Sequence, residues 1–397
     1  MASSNACAER TSGARPRMKL LCLNQSTRNA STILGHLPVE EALRIGLDGR
    51  IDATFVRMEP WGRGARWLAK PIPGLFERDL DFHEFRWHLA EGLRGYAAIT
   101  RLRHRLEFDA AHVTSHSLAF GLAGLMKEFP VCLSVDVAVR EWSKMGIWTE
   151  PRPYSNLVMV GSLAMERSAL ERAALVQAWT EWTRKQVVRA APSARVVAMH
   201  PGINTSRFVP ATRRPRERAR VLFVGGRFVE KGGQDLLDAL RPELGRTVDI
   251  DLVTRQDIPA QPGVTVHRLQ RDDPAMVDLY QQADLCCLPT RGDVLPWVFL
   301  EALGCETPIV SGDVGAVRSE FDAHDCAKIV PPRDVPALRE ATLTALGDEA
   351  ERRAMGRRGR AMVEEKYDAR VQGAKVATLI EEAVAQTRGE HWNERCR

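Results

Sequence analysis

Short apolar runs alternate with amphipathic stretches along most of the chain. In the first half, the apolar runs predict buried strands over 18–23, 51–56, 108–113, 131–135, 174–179 and 195–199. Helices are predicted between the strands, among them 117–128 and 180–191. Strands that alternate with helices form parallel sheets with helices on both faces. The first half is therefore predicted to be an α/β domain.

The same pattern begins again after a basic, proline-spaced segment at 201–215, which we interpret as a hinge. Strands are predicted near 221–224, 248–253, 264–267, 284–288, 308–310 and 327–330. A chain of 397 residues is long enough for two domains that each bury a core. We predict an α/β fold class with two Rossmann-like, doubly wound parallel sheets, over 18–203 and 204–369.

A glycine turn and two cations follow the first strand of the second domain, in the sequence VLFVGGRFVEK at 221–231. Gly225 and Gly226 lack a Cβ, tolerate positive φ and let a ligand approach the backbone. Arg227 and Lys231 are four residues apart, so both can converge on one anion. Because open α/β sheets bind ligands at the carboxyl ends of strands, this turn predicts a phosphate site.

Two carboxylates follow a later strand, in the sequence PTRGDVLPWVFLEALGCETP at 289–308. Asp293 lies in a loop, and Glu301 lies about two turns further along a predicted helix. Pro296 suits the first turn of that helix, whose free N–H groups can bind an anion. Cations for a diphosphate and carboxylates for hydroxyls together predict a nucleotide-sugar site. The alternative is ordinary surface charge around a strand–turn–helix unit.

These segments resemble the motifs of the family 4 (group 1) glycosyltransferases. The segment HPGINTSRFVP at 200–210 stands where the family has PPGVDTxxFxP, and GGRFVEKGG matches GRLxxxKG. The segment 283–310 contains the family's E-x7-E signature as Asp293 and Glu301. The resemblance implies the GT-B fold, in which two Rossmann-like domains face each other across a cleft. It also implies a retaining reaction and a C-terminal helix, about 370–386, that packs back on the first domain.

The resemblance implies a role for each polar residue of the two motifs. Arg227 and Lys231 would hold the donor diphosphate, Glu301 the ribose hydroxyls and Asp293 the transferred sugar. The rest of the donor site would comprise Gly225, Gly226, Val294, Leu295, Pro296 and Trp297. Asp293 stands where the family more often has Glu, which shortens its reach by one methylene. Glu306 stands where the family normally has Gly, at the end of the helix.

The first domain is expected to supply the acceptor side. By resemblance, Asp136 follows a strand at a position that faces the reacting sugar, and we expect it to take part in catalysis. The alternative is that Asp136 caps a turn. His116 is a second candidate on the acceptor side. The alternative is that it has an ordinary packing role. Gly35 and His36, after the first strand, are a third candidate close to the phosphates.

The net charge of +5 is concentrated in one segment. Residues 57–105 contain ten Arg or Lys against six Asp or Glu, together with seven Trp, Phe and Tyr. A basic, aromatic-rich segment suits a membrane interface, so peripheral membrane contact through 57–105 is one hypothesis. The alternative is that the aromatic residues pack on the sheet. No nucleic-acid motif is present, and we expect no nucleic-acid partner.

Other features bear on location and cofactors. The first 17 residues lack the apolar core of a signal peptide, so we expect a disordered leader at 1–17. Eight cysteines without metal-ligand spacing favour a reduced, cytoplasmic protein. Asp249 and Asp251 resemble a DxD metal motif but lie at the start of a strand. We expect no metal and no cofactor beyond the donor substrate.

The sequence is thus interpreted as a retaining glycosyltransferase that moves a sugar from a nucleotide-diphosphate sugar to a hydroxyl acceptor. The acceptor would be a glycan, a lipid-linked molecule or a small molecule. Two alternatives remain open: a nucleotide-sugar epimerase or sugar phosphorylase on the same scaffold, and a catalytically silent nucleotide-sugar-binding scaffold protein. A silent protein would be expected to lose Asp293 and Asp136, and both are present.

Overall fold

A computed structural model describes residues 17–24, 37–59, 61–78, 80–145 and 158–395. Residues 1–16 of the expected leader lie outside the described residues, as do Gly35 and His36. Two six-stranded sheets, parallel throughout, make up the framework. The predicted architecture of two doubly wound α/β domains is confirmed.

The first sheet has the strand order β2-β1-β3-β4-β5-β6. Its strands are β1 (Lys19–Asn24), β2 (Asp52–Arg57), β3 (Ala110–Val113), β4 (Val131–Val135), β5 (Leu175–Ala178) and β6 (Val196–Ala198). Successive residues of its central strands face opposite sides of the sheet, so Leu21 and Leu23 join one apolar core and Leu20 and Cys22 another. Such continuously apolar strands are typical of a sheet covered on both faces.

Six described helices belong to this N-terminal domain. They are α1 (Leu37–Leu47), α2 (Arg63–Leu68), α3 (His83–Arg103), α4 (Val139–Lys144), α5 (Val160–Arg172) and α6 (Glu181–Ala190). The predicted helix at 117–128 is wrong, because two short 3-10 turns, His116–Ala119 and Leu125–Lys127, replace it. Gly121 lies between those turns, and its backbone packs directly on that of Gly92 in α3. The segment thus forms two short turns that flank a close backbone contact, instead of one regular helix.

The second sheet has the order β12-β11-β10-β7-β8-β9. Its strands are β7 (Ala219–Val224), β8 (Val248–Val253), β9 (Val264–His267), β10 (Leu285–Leu288), β11 (Ile309–Gly312) and β12 (Ala327–Val330). Its helices are α7 (Gly233–Leu240), α8 (Ala275–Gln282), α9 (Trp297–Gly304), α10 (Val317–Phe321), α11 (Val335–Gly347) and α12 (Glu349–Lys366). The sheet order reverses between the neighbouring strands β7 and β10. In such sheets the ligand site lies at this switch point, beyond the strand ends.

The last helix, α13 (Ala369–Arg395), returns to the N-terminal domain and packs on α1. Gly46 and Gly373 meet at this crossing, where a Cβ on either would collide with the other's backbone. The chain passes between the domains twice, and the two passages are hydrogen bonded at Ile203, which pairs with Tyr367 and Ala369. No helix among the described residues is both long and apolar enough to cross a membrane.

Candidate functional site

The two sequence motifs meet at the switch point of the second sheet. The loop after β7 carries Arg227 and Lys231, and the loop after β10 carries Asp293. The Arg291 backbone N–H donates to the Glu230 carbonyl at 3.2 Å, which ties one loop to the other. The hydrogen-bonded pairing of β7 with β10 thus brings together residues that are about 60 positions apart in sequence.

Glycines allow the loops to approach this closely. Gly232, at φ 76°, faces the Pro289 carbonyl so closely that no side chain would fit. Gly225 and Gly226 are not among the glycines with positive φ, so their tolerance of that conformation is not used here. Gly225 matters for space instead, because a Cβ there would lie 2.9 Å from the Phe223 ring.

The predicted donor-binding cations have acidic partners in this structure. The Lys231 ammonium lies 2.6 Å from both carboxylate oxygens of Asp293. The Arg227 guanidinium lies 3.6 Å from Glu230, within its own loop. All four side chains are only partly exposed. The cluster is therefore charge-balanced, and an entering diphosphate would compete with these carboxylates for the cations.

The start of α9 has no side-chain cap hydrogen bond at its N-cap residue. Pro296 is the residue before the first helical residue, one position earlier than predicted, and no described side chain caps the first turn. The residues just before the helix are packed against Gly315. This glycine, at φ 53°, lies against the Asp293 carbonyl and Val294. The first N–H groups of a helix carry partial positive charge and suit an anion.

Glu301 is deeply buried in α9, with its side chain 3% exposed. Its Oε1 accepts from Arg271 Nε at 2.9 Å, and its Oε2 accepts from the Tyr280 hydroxyl at 2.8 Å. Burial and the neighbouring Glu301 charge raise the pKa of Tyr280 well above its ordinary value, so the phenol remains a donor. Sequence reasoning missed both partners, because neither lies in a motif and only the fold brings them to Glu301.

The predicted catalytic residue of the N-terminal domain, Asp136, lies in the loop after β4. Its carbonyl accepts from the Thr183 hydroxyl at 2.6 Å, and its carboxylate accepts from the Val137 N–H at 2.9 Å. Val137 packs on Val294 in an apolar cluster shared by the two domains. The loops that carry Asp136 and Asp293 therefore meet at the interdomain cleft.

His116 contacts Glu166, an acid that also binds the backbone close to Asp136. Its Nε2 is 3.3 Å from Glu166, and its side chain is only 13% exposed. The same Glu166 oxygen accepts from the Val139 N–H at 2.8 Å. Through Glu166, His116 can support the loop that carries Asp136. Its predicted role on the acceptor side stays a prediction.

Trp297 lies between the two domains. Its ring contacts Trp179 and His200, with centroids 5.6 Å and 4.6 Å away. Burial lowers the pKa of His200 to about 3, so this histidine is neutral at neutral pH. The aromatic contacts hold the start of α9 against the N-terminal domain.

The DxD-like pair lies away from the cleft. Asp249 and Asp251 are near the amino end of β8 and form ion pairs with Arg218 and Arg220. Among the residues that the structure describes, no group of three or more His, Cys, Asp or Glu side chains is arranged to hold a metal ion.

Comparisons with known proteins match most closely over the C-terminal domain, which carries the two loops. Residues 218–348 match the family model of glycosyl transferases group 1. The GDP-mannose-dependent alpha-(1-6)-phosphatidylinositol monomannoside mannosyltransferase of Mycolicibacterium smegmatis is 32% identical over 55% of this chain and 66% of its own length. The glycogen synthase of Mycobacterium tuberculosis is 29% identical over 44% of this chain and 45% of its own length. The matches thus span less than two thirds of these relatives.

Solved structures share the whole architecture at low sequence identity. A sucrose-phosphate synthase from Thermosynechococcus elongatus superimposes with a TM-score of 0.69 at 17% identity, covering 93% of this chain and 100% of its own. HepE from Anabaena, solved with UDP-glucose, gives a TM-score of 0.65 at 15% identity, covering 94% and 100%. The chain therefore has the GT-B fold, and its residues 218–348 form a domain similar to the group 1 glycosyl transferases.

Proposed function

We propose that this protein is a glycosyltransferase that moves a sugar from a nucleotide-diphosphate sugar to a hydroxyl acceptor. The observation that carries the proposal is the contact between Lys231 and Asp293, 2.6 Å apart at the switch point of the domain that matches the family. A diphosphate needs the cation, and a sugar needs the carboxylate. Their contact supports one site for both functions.

The proposed donor lies across the two loops. Arg227, Lys231 and the first N–H groups of α9 bind the diphosphate, while Glu301 binds the ribose. As the diphosphate takes over Lys231, Asp293 is released from its ion pair and becomes an acceptor for a hydroxyl of the transferred sugar. The resting ion pair keeps both charges satisfied until the donor arrives.

The same groups would promote the reaction. Charge grows on the leaving diphosphate as the glycosidic bond breaks, and preorganised cations and N–H groups stabilise that charge. We infer that these groups take the part that a metal has in other transferases. Retention of configuration would follow from attack on the face that the phosphate leaves, with a phosphate oxygen accepting the acceptor's proton. Closure of the two domains would exclude water from the cleft.

The proposed acceptor approaches from the Asp136 loop of the N-terminal domain. A carboxylate there can orient a donor hydroxyl or accept a hydrogen bond from the acceptor. The name of the Mycolicibacterium relative describes a lipid-linked acceptor for that protein. We therefore place a lipid-linked acceptor beside a glycan and a small molecule as the classes to test.

Peripheral membrane contact belongs to this proposal. Trp67 is 78% exposed, and the exposed side chains of Arg63, Arg66, Lys70 and Ile72 lie on the same segment. Basic and aromatic groups together suit an anionic lipid interface. Trp67→Ala should lower co-sedimentation with vesicles containing anionic lipid, relative to neutral vesicles. Equal binding of both proteins to both vesicles would contradict the contact.

The alternatives are less well supported than transfer. The curated relatives named above carry the names of a mannosyltransferase and a glycogen synthase, which favours transfer over epimerisation or phosphorolysis. Retention of Asp136 and Asp293 favours activity over a silent scaffold. The described cysteines are buried and free, which supports action in the reducing cytoplasm.

Titration with nucleoside diphosphates tests the donor site directly. Lys231→Ala should weaken binding of the preferred nucleoside diphosphate by about 1.5–3 kcal/mol, the range for a hydrogen bond to a charged group. Arg241→Ala is the matched control, because Arg241 also pairs with an acidic residue, Asp238, in the same domain but lies exposed directly after α7. The donor site would be contradicted if calorimetry showed wild-type affinity for Lys231→Ala as well as for Arg241→Ala. Analysis of the product with a nucleotide-sugar then separates transfer from epimerisation.

A further inference from the structure

Arg271, in the loop between β9 and α8, lies between carboxylates of the two domains. Its Nε donates to Glu301 Oε1 at 2.9 Å in the C-terminal domain. Its Nη1 donates to Glu41 Oε2 at 2.7 Å, and Glu41 belongs to α1 of the N-terminal domain. One planar guanidinium thus spans the cleft, with separate N–H groups on each carboxylate.

This cluster is shielded from solvent. The side chain of Arg271 is 15% exposed and that of Glu41 is 27% exposed. Burial acts to lower the pKa of Arg271, but the charges of Glu301 and Glu41 outweigh it and hold the pKa above its ordinary value. Screening by salt is weak at such a position, so this ion pair has more effect than one on the surface.

The linker between the domains belongs to the same cluster. Arg207 Nη2 donates to the Arg271 carbonyl at 2.7 Å, and its other terminal nitrogen lies 4.0 Å from Glu41. Asn204 Nδ2 donates to Glu41 Oε1 at 3.4 Å. The contact between Arg271 and Glu41 therefore holds α1, the linker and the loop after β9 in one arrangement.

We propose that Arg271 is a positioning residue for Glu301 and that its contact with Glu41 couples donor binding to closure of the two domains. The proposal rests on the proposed donor site for its ligand. Among the described residues, Glu301 Oε1 faces two nitrogens of Arg271, whereas Oε2 accepts from one donor, the Tyr280 hydroxyl. An oxygen has two lone pairs. Oε2 thus keeps one lone pair that the described residues leave unused; in this proposal that lone pair accepts from a ribose hydroxyl, and Arg271 fixes the direction of the carboxylate.

The coupling follows from the geometry. Opening the cleft would part Glu41 from Arg271 but leave Arg271 with Glu301, since the latter two belong to one domain. In the open form Arg271 has lost one of its two anchors, and Glu301 is held less firmly. A donor that needs Glu301 in place therefore binds the closed form more tightly, which is the requirement for a ligand to shift a conformational equilibrium.

Glu41→Gln tests the contact, because the amide keeps the size of the side chain and loses its charge. Without donor, we expect a larger radius of gyration by small-angle X-ray scattering and faster hydrogen exchange at 203–208. With donor, we expect about tenfold weaker binding of the preferred nucleoside diphosphate, within the usual range for coupled sites. Glu381→Gln is the control, since its ion pair with Arg50 joins the turn after α1 to α13 at 3.0 Å outside this cluster.

A second variant tests the positioning role. Arg271→Lys keeps the charge but offers one ammonium where two separated N–H groups are needed. It should raise the donor KM more than it lowers kcat, and adding Glu41→Gln to it should cause little further loss of affinity, because the two act through one contact. Additive losses would show that Glu41 acts elsewhere, and would overturn the proposal.

The outcomes separate this proposal from the proposed function. If Glu41→Gln leaves the scattering and the hydrogen exchange unchanged, as the control does, the contact does not hold the domains together and the proposal is wrong. Equal effects of both variants would indicate a general loss of stability and would also overturn it. A wild-type protein that binds no nucleoside diphosphate contradicts the proposed function and the donor half of this proposal, while scattering and exchange still decide the interdomain half.

Discussion

At the scale of single residues, the site is a set of charges that balance one another before any ligand binds. Lys231 and Asp293 are in contact, and Glu301 is neutralised by Arg271. Removing one partner of such a pair leaves the other charge without compensation, so each substitution has two effects. Binding, turnover and stability must therefore be measured separately for each variant.

Asp293→Asn keeps the size of the side chain and removes the charge. We expect binding of the free nucleoside diphosphate to be kept or strengthened, because Lys231 no longer has a competing carboxylate. Turnover of the nucleotide-sugar should fall, since the lost interaction is felt mainly in the transition state. Calorimetry and initial rates on one preparation check this. An affinity that falls as far as turnover would indicate a phosphate-loop or structural role for Asp293.

Glu301→Gln should affect both donor binding and folding. The buried Arg271 would lose its charged partner in the same domain and keep Glu41, at a cost of about 1.5–3 kcal/mol in the free energy of unfolding, the range for a hydrogen bond to a charged group. The donor KM should also rise if Glu301 holds the ribose. Tyr280→Phe is the comparison, because it removes one hydrogen bond from the same carboxylate. A stability loss in Glu301→Gln with unchanged donor affinity would reject the ribose role.

At the scale of elements, the end of α9 carries conformational strain. Glu306 follows the last turn at φ 57°, a left-handed conformation that favours glycine. Its N–H donates to the Leu303 carbonyl at 3.0 Å, and the next residue, Thr307, donates to Ala302 at 2.9 Å. These bonds end the helix in the usual way, although the residue is not a glycine. The backbone of Gly356 in α12 packs directly on the Glu306 carbonyl.

Glu306→Gly should stabilise the protein by about 1 kcal/mol, the lower range for a strained left-handed residue. Glu306→Ala is the matched control, because alanine loses the same side-chain polarity and keeps the strain. Urea unfolding should therefore rank the glycine variant above the wild type and the alanine variant near it. Equal midpoints for the glycine and alanine variants would contradict the strain argument.

At the scale of the whole molecule, buried histidines link stability to pH. Burial lowers the pKa of His88 and His200 to about 3 and that of His112 to about 4. Each is therefore neutral in the folded protein at pH 5, whereas an unfolded histidine, with an ordinary pKa of 6.5, is mostly charged. The unfolded chain then binds more protons, so stability falls as the pH drops from 6.5 toward 3.

The loss between pH 7.5 and pH 5 should reach about 2 kcal/mol for each of these histidines. His200→Gln keeps an acceptor for the Gly202 N–H, which donates to His200 Nδ1 at 3.0 Å, and removes the titration. Denaturant unfolding at both pH values should show a smaller pH dependence for this variant than for the wild type. An identical pH dependence would show that His200 does not contribute.

The apolar pattern along the chain was enough to predict the alternation of strands and helices, and the motif spacing was enough to predict the polar groups beyond β7 and β10. Continuous apolar runs can only be buried in a covered parallel sheet, and the glycine turn and the helix start follow local backbone rules. Local pattern was insufficient at 117–128, because the contact of Gly121 with Gly92 comes from another part of the chain. The backbone conformation at 117–128 therefore depends on a tertiary contact.

Which charges form ion pairs depends on the three-dimensional fold. Lys231 reaches Asp293 across 62 positions of sequence, and Arg271 reaches Glu41 across 230. Such pairs arise from strand order and from the position of one domain on the other, and no periodicity in the sequence records either. The residues of the candidate donor site could therefore be named in advance, but their resting partners could not. The reason is that ion pairing depends on distance in space, while a sequence motif reports only neighbours along the chain.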